Sequence, residues 1–185
     1  ALLDSIVEGE AGYPKPRQVG WGHDGTGSVI DPIYIWNNSG ETAGNGIDDD
    51  GNGYIDDTRG WDFYADDNNP TDETGHGTHV AGTIAAEGNN GTGVTGIAWT
   101  CKIMPLRFMA SSGGTVSDAI SALDYAVAKG AVVSNNSWGG SGNSTALYEA
   151  IARARANGHI FVAAAGNDGQ NTDATTNYPS AYDLD

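Results

Sequence analysis

Residues 131–165 read AVVSNNSWGGSGNSTALYEAIARARANGHIFVAAA, and this stretch decides the fold class. Ala131–Ser134 has the apolar, β-branched character of a buried strand. Ser144–Ala156 reads as a helix closed by Asn157-Gly158, and His159–Ala165 as the next strand. Upstream, Thr115–Lys129 places Val116, Ala119, Ile120, Leu123, Ala126 and Val127 at helical spacing. Thr115 or Ser117 can cap that helix and Gly130 can stop it. Lys102–Phe108 is a further short apolar strand. Strand–helix–strand–helix–strand implies right-handed crossovers and a parallel sheet covered by helices, an α/β fold. Gly75–Ala86 (GHGTHVAGTIAA) is small and apolar nearly all round and is expected as a helix buried on every side. Ala1-Leu2-Leu3 is expected to end one more parallel strand, with Asp4 at its carboxyl end, the edge where open α/β sheets place their sites.

The chain has 185 residues, enough for one domain with its own core. Eight Lys and Arg against 24 Asp and Glu leave a net charge of −16, which repels phosphate and argues against a nucleic-acid partner. No run approaches the ~20 apolar residues of a membrane span. The single cysteine, Cys101, excludes an internal disulfide framework and reads as a small buried residue.

The acid is concentrated. Residues 41–73 hold Glu41, Asp48, Asp49, Asp50, Asp56, Asp57, Asp62, Asp66, Asp67, Asp72 and Glu73 against one base, Arg59. Such a segment is a solvated loop or it holds something positive. In Asp48-Asp49-Asp50-Gly51-Asn52-Gly53-Tyr54-Ile55-Asp56, oxygen side chains fall at positions 1, 3, 5 and 9 of a calcium loop. Gly53 takes the turn position and the Tyr54 carbonyl position 7. The expected ligands of a structural Ca2+ are therefore Asp48, Asp50, Asn52, Tyr54 and Asp56. Position 12 is Arg59 rather than a bidentate Glu, so Asp57 or Asp62 is the substitute ligand.

Two further residues carry chemistry. His76, between two glycines at a helix start, is either a structural hydrogen bonder or a general base, with His79 one turn on and better placed for packing. Asn167, after Ala163-Ala164-Ala165-Gly166, is a turn asparagine or an amide donor to an oxyanion.

These residues stand in motifs. Gly75-His76-Gly77-Thr78-His79-Val80-Ala81-Gly82-Thr83, Ser137-Trp138-Gly139-Gly140 and Ala163–Gly169 closely resemble, in order and spacing, the subtilisin-like serine proteases, or subtilases. The Asn45–Asp57 run with Gly60-Trp61-Asp62-Phe63 resembles the calcium-loop insert of many bacterial members. The resemblance implies a three-layer sandwich and a serine endopeptidase acting on polypeptides, secreted and monomeric. It implies His76 as general base, Asp4 as its orienting acid (Asp24 and Asp31 being rivals) and Asn167 as oxyanion donor. It implies that Ser112-Gly113-Gly114 and Ser137-Trp138-Gly139 hold the substrate as an added strand, and that Ala164 and Gly166 floor its pocket. A second calcium at Asn90, Thr92 and Val94, a third at Asp62, Asp67 and Asn69, and a cis-proline at Tyr178-Pro179 follow in the same way.

The sequence departs from the pattern in three places. No Gly-Thr-Ser occurs, so the nucleophilic serine is expected beyond the end of this chain, and the chain alone is expected to be inactive. Ile6 stands where the aspartate motif carries glycine, and residues 7–30 match nothing in the family. The chain is thus expected to be one partial catalytic domain, with an insert region at 7–74, the Asp-rich loop at 48–57 and an α/β core at 75–185. A calcium-binding adhesion module and a non-catalytic pseudoprotease are the alternatives.

Overall fold

A computed structural model describes residues 2–7, 32–91 and 93–184. Asp24, Asp31, Thr92 and the unmatched 8–30 segment lie outside the described residues. The elements run β1 (Leu2–Val7), β2 (Tyr34–Ile35), β3 (Trp61–Asp62), α1 (His76–Ala85), β4 (Lys102–Arg107), β5 (Met109–Ala110), β6 (Gly113–Gly114), α2 (Val116–Ala128), β7 (Val133–Asn136), α3 (Thr145–Ala156) and β8 (Ile160–Ala163). The main sheet has the order β2-β4-β1-β7-β8, with β3 also on β4.

Strand β4 organises the layers. Its Met104 and Leu106 pack with Ala119, Ala122 and Tyr125 of α2, while Ile103 packs with Ala81 and Ala85 of α1. Alternate residues of a strand face opposite ways, so α1 covers one face of the sheet and α2 the other. Helix α3 joins the α2 layer through Leu123, Leu147, Ala150 and Ile151. The expected α/β three-layer sandwich is present. Local signals act as read: the Thr115 hydroxyl accepts from the Asp118 amide, Ser144 accepts from the Leu147 amide, and Gly130 and Gly158 take left-handed backbone just past their helices. The Tyr178–Pro179 bond is cis.

Four expectations are corrected. First, β1 begins at Leu2 instead of ending at Leu3, and it runs antiparallel to both β4 and β7 in a sheet whose other pairs are parallel. LLDSIV reads apolar, apolar, polar, polar, apolar, apolar, the same from either end, so it carries no signal of its polarity. Second, α1 is not buried all round. Gly77, Ala81 and Ala85 form its buried stripe, whereas His76, His79 and Thr83 are exposed. Small side chains permit close packing on every side, but the described layers supply apolar partners on one side only. Third, the strand expected at Ala131–Ser134 lies two residues later, because Ala131 packs under α2 and Val132 is exposed. Fourth, Cys101 is half-buried rather than buried, and burial still pushes its thiol up.

The α2–α3 seam should dominate stability. Leu123→Ala should lower unfolding free energy by ~2–5 kcal/mol, whereas Val116→Ala on the exposed side should stay within ~0.5 kcal/mol beyond its propensity change, both read by urea denaturation.

Candidate active site

Strands β4, β7 and β8 run in one direction, since β4 and β7 both oppose β1 and β8 is parallel to β7. Their carboxyl ends therefore share one sheet edge. Asp4 pairs in register with Pro105 and Asn135, two residues from the end of β4 and one from the end of β7. It reaches this edge near the start of a reversed strand, not at the end of a parallel one.

His76 is the first residue of α1 and is exposed. The loop before it is fixed by two acids. Asp72 accepts from the amides of Thr74, Gly75 and Thr78 and from the Thr74 hydroxyl. It thus does the capping that Gly75, the N-cap residue, cannot do. Partial burial pushes the Asp72 carboxyl up, but the amides of Thr78, Thr74 and Gly75 outweigh this and hold it below the usual carboxylate range. Glu73 accepts from Arg107 at 2.7 Å, and Arg107 also pairs with Asp62 at 2.5 Å, both Arg107 and Asp62 being buried. The guanidinium at the end of β4 so ties the His76 loop to the sheet edge. Burial works against the charge of Arg107, yet Asp62 and Glu73 hold its basicity above the ordinary value.

Asn167 is exposed four residues beyond the end of β8, at the same edge. The other segments named from sequence leave this edge too. Gly113 and Gly114 form β6, paired with β5 in a small hairpin, and Ser112 lies at its turn with its hydroxyl 3.5 Å from the Tyr64 phenol. Ser137-Trp138-Gly139 follows β7, with Asn135 donating to the Ser137 hydroxyl and the Trp138 indole donating to Asn136. A cleft of about 500 Å³ opens between Gly139, Ala165, Gly166, Asp168, Thr176 and Asn177. A side chain at Gly139 would meet the Asn177 amide at 2.7 Å, and Gly166 has φ +99°, so glycine suits both walls. Ala165, not Ala164, lines the cleft beside Gly166; the Ala164 amide is bound to the Asn136 carbonyl.

The acidic loop folds on its own amides. Asp48 accepts from Gly51, Asn52 and Gly53, Asp50 from Asn52, and Asn52 from Tyr54. Asp56 turns instead to the Asn45 and Gly46 amides. Among the described residues, the acidic groups whose ligand atoms lie within 4.8 Å of one another are Glu41, Asp50 and Asp57. Asp48 and Asp56 are outside that group and accept from backbone amides. The donors are all hard oxygens, a chemistry that fits calcium, with Asp50 common to both ligand sets. The charge argument is corrected: cations from elsewhere enter the segment. Lys129, the C-cap of α2, pairs with Asp50 and lies 3.9 Å from Asp57, and Arg107 neutralises Asp62. Asp57 is fully buried and accepts from Asn38, Asn52 and Tyr125. Burial first, then the Asp57 carboxylate, pushes the Tyr125 phenol far up. Asp62 also accepts from the amides of Tyr64 and Ala65, which commits it to structure rather than to a third calcium.

The sequence profile of the subtilase family matches residues 1–183. The chain belongs to the subtilase family. Subtilisin DY of Bacillus licheniformis is 44% identical over 126 residues, covering 67% of this chain and 46% of that protein. A thermophilic serine proteinase of a Bacillus species is 43% identical over 126 residues, covering 68% and 31% respectively. Among solved structures, sphericase superposes with a TM-score of 0.53 at 35% identity, over 60% of this chain and 39% of sphericase. The chain thus spans less than half the length of these relatives.

Three parts of this subtilase site escaped sequence reasoning. Arg107 had a usable signal, since a base that closes an apolar strand of an acid-rich chain must be paired when buried. Asp72 had a weaker one, an acid four residues before a helix with a glycine N-cap. Lys129 had none, being 72 residues from Asp57. Asp62→Ala should cost ~3–5 kcal/mol by stranding Arg107, whereas Glu73→Gln at an exposed carboxylate should cost under ~1 kcal/mol, as read by denaturant melts. Asp72→Ala should cost ~0.5–2 kcal/mol near neutral pH. Because the folded Asp72 carboxyl is held low, its contribution is present above the unfolded value near ~3.9 and is lost as pH falls through the folded value. Wild-type and Asp72→Ala melting temperatures should therefore converge in acid.

Proposed function

We propose that this subtilase chain supplies the general base, the orienting acid, the oxyanion donor and the substrate-binding segments of a serine endopeptidase. The observation that carries the reading is His76 exposed at the start of α1, on a loop anchored by Arg107 to the edge that Asn167 shares. In this reading the His76 imidazole takes the proton of a serine hydroxyl as that oxygen attacks the scissile carbonyl, then returns it to the leaving amine. Asp4 orients the imidazole and stabilises its protonated form. Asn167 donates its amide to the tetrahedral oxyanion. The serine lies outside these 185 residues. Polypeptide adds as a strand along Gly113-Gly114 and Ser137–Gly139, with one side chain in the cleft walled by Gly139 and Gly166. Secretion and a monomeric state belong to the same reading, on family grounds.

The test is to extend the coding sequence through a Gly-Thr-Ser motif and express the product. A fluorophosphonate should label one serine in the longer protein and none in the 185-residue chain, and His76→Ala should cut peptide hydrolysis by ~10⁴–10⁶-fold. Stoichiometric labelling of the short chain, or hydrolysis unchanged by His76→Ala, would overturn the reading.

Calcium on the acidic loop is part of the proposal. Bound there, it would supply a double positive charge to oxygens of Asp48, Asp50, Asn52 and Asp56 and the Tyr54 carbonyl, with Glu41 and Asp57 adjoining. Without a bidentate Glu at Arg59, its Kd should fall near ~10⁻⁴–10⁻³ M, and calcium 100-fold above Kd should add about 2.7 kcal/mol. Titration calorimetry should give saturable heat that Asp50→Ala abolishes and Asp173→Ala leaves intact. Lys129→Met should tighten calcium binding, since it removes the ammonium on Asp50. No heat at millimolar calcium would return the loop to a solvated acidic segment.

A further inference from the structure

The chain holds four Asn-Gly pairs: Asn45-Gly46, Asn52-Gly53, Asn90-Gly91 and Asn157-Gly158. Asparagine before glycine is the pair most open to attack by the following amide nitrogen on the side-chain carbonyl, because glycine has no Cβ to obstruct the ring that forms. The fold treats the four pairs unequally. The Gly46 amide donates to Asp56 at 2.9 Å, the Gly53 amide to Asp48 at 2.8 Å and the Gly158 amide to the Arg155 carbonyl at 2.9 Å. The asparagines of these three pairs are held as well. Asn45 accepts from the Ile47 amide and donates to Asp49, and Asn52 accepts from the Tyr54 amide and donates to Asp57. Asn157 donates to the Arg153 carbonyl.

Asn90-Gly91 differs. Gly91 is exposed, and its amide has no acceptor among the described residues. The side-chain nitrogen of Asn90 donates to the Glu87 carbonyl at 2.8 Å, within the same loop and at an exposed position where water can replace it. The ends of this loop are fixed: the Glu87 amide donates to the Pro32 carbonyl and the Gly96 amide to the Ala86 carbonyl. The loop leaves α1 at the opposite end from His76, so it stands apart from the proposed active site.

We propose that Asn90 is a site of spontaneous modification, the Asn-Gly pair that this fold leaves open to deamidation. The Gly91 nitrogen gives its proton to hydroxide and attacks Cγ of Asn90. The new N–Cγ bond closes a cyclic imide, the Cγ–Nδ2 bond breaks, and Nδ2 leaves as ammonia after taking a proton from water. Water then opens the imide at either carbonyl and leaves an aspartyl or an isoaspartyl residue. Either product adds one negative charge. The isoaspartyl form also lengthens the backbone by one atom between Glu87 and Gly96, a change that the fixed loop ends confine to the loop. In the other three pairs the nucleophilic amide must first break its hydrogen bond, which slows ring closure by several-fold to about tenfold.

The test is to incubate the folded 185-residue chain at mildly alkaline pH and to follow all four pairs by peptide mapping with mass spectrometry, beside the same chain in urea. In urea the four pairs should convert at similar rates. In the folded chain Asn90 should keep its rate and lead the others by several-fold to about tenfold, yielding two products of one mass, and its rate should rise in proportion to hydroxide. Asn90→Gln should remove the main acidic species seen on isoelectric focusing. Asp56→Ala, which frees the Gly46 amide, should bring Asn45 up toward the rate of Asn90. Equal rates at the four pairs in the folded chain would overturn the proposal. So would a lead by Asn45, Asn52 or Asn157, protection of Asn90 by folding as strong as theirs, or an acidic species that persists in Asn90→Gln.

Discussion

The buried guanidinium of Arg107 is the contact on which the site depends. It sits at the end of β4 and joins Asp62 of β3 to Glu73 of the loop before α1. Its other face lies over the Tyr64 ring, at 5.2 Å from the centroid. Three segments far apart in sequence thereby meet at one sheet edge, and His76 starts its helix there. A buried cation is costly unless its partners are in place, so this ion network favours one arrangement of the edge more than it adds net stability. Asp72 completes the arrangement by holding the first turn of α1 through its amides.

A second network does the same for the acidic insert. Asp57 is buried beneath the loop and collects Asn38, Asn52 and Tyr125, while Lys129 compensates Asp50 beside it. Tyr54, Trp61, Phe63 and Tyr125 pack edge to face around this point. The insert is therefore docked on α2 by aromatic packing and one buried carboxylate, and calcium is asked to stabilise a loop that is already anchored. This is why calcium should act as an added stabiliser of the fold, with a modest affinity, rather than as its nucleus.

The helices, their caps and most strands were legible because period and capping are local properties. Thr115, Ser144, Gly130 and Gly158 act where the sequence places them. The motifs around His76 and Asn167 were legible because they are contiguous. What was not legible depends on pairing over distance. The polarity of β1 is one case, since the apolar and polar residues of LLDSIV fall in the same order from either end. The reach of Lys129 to Asp50 is another, and it supplies part of the counter-charge that the sequence assigned to a metal alone. The burial of α1 was misjudged because composition records what a helix tolerates, not what its neighbours cover.

The central claim is that the His76 imidazole and the Asn167 amide converge on one reacting centre at this edge. It is tested most directly by a crystal structure of the protein extended through its Gly-Thr-Ser motif and trapped as the fluorophosphonate adduct. The account predicts His76 Nε2 within about 2.6–3.2 Å of the serine oxygen or of the adduct oxygen that replaces the leaving group. It also predicts the Asn167 side-chain nitrogen bonded to the adduct's phosphoryl oxygen. An adduct serine beyond the reach of either side chain would contradict it.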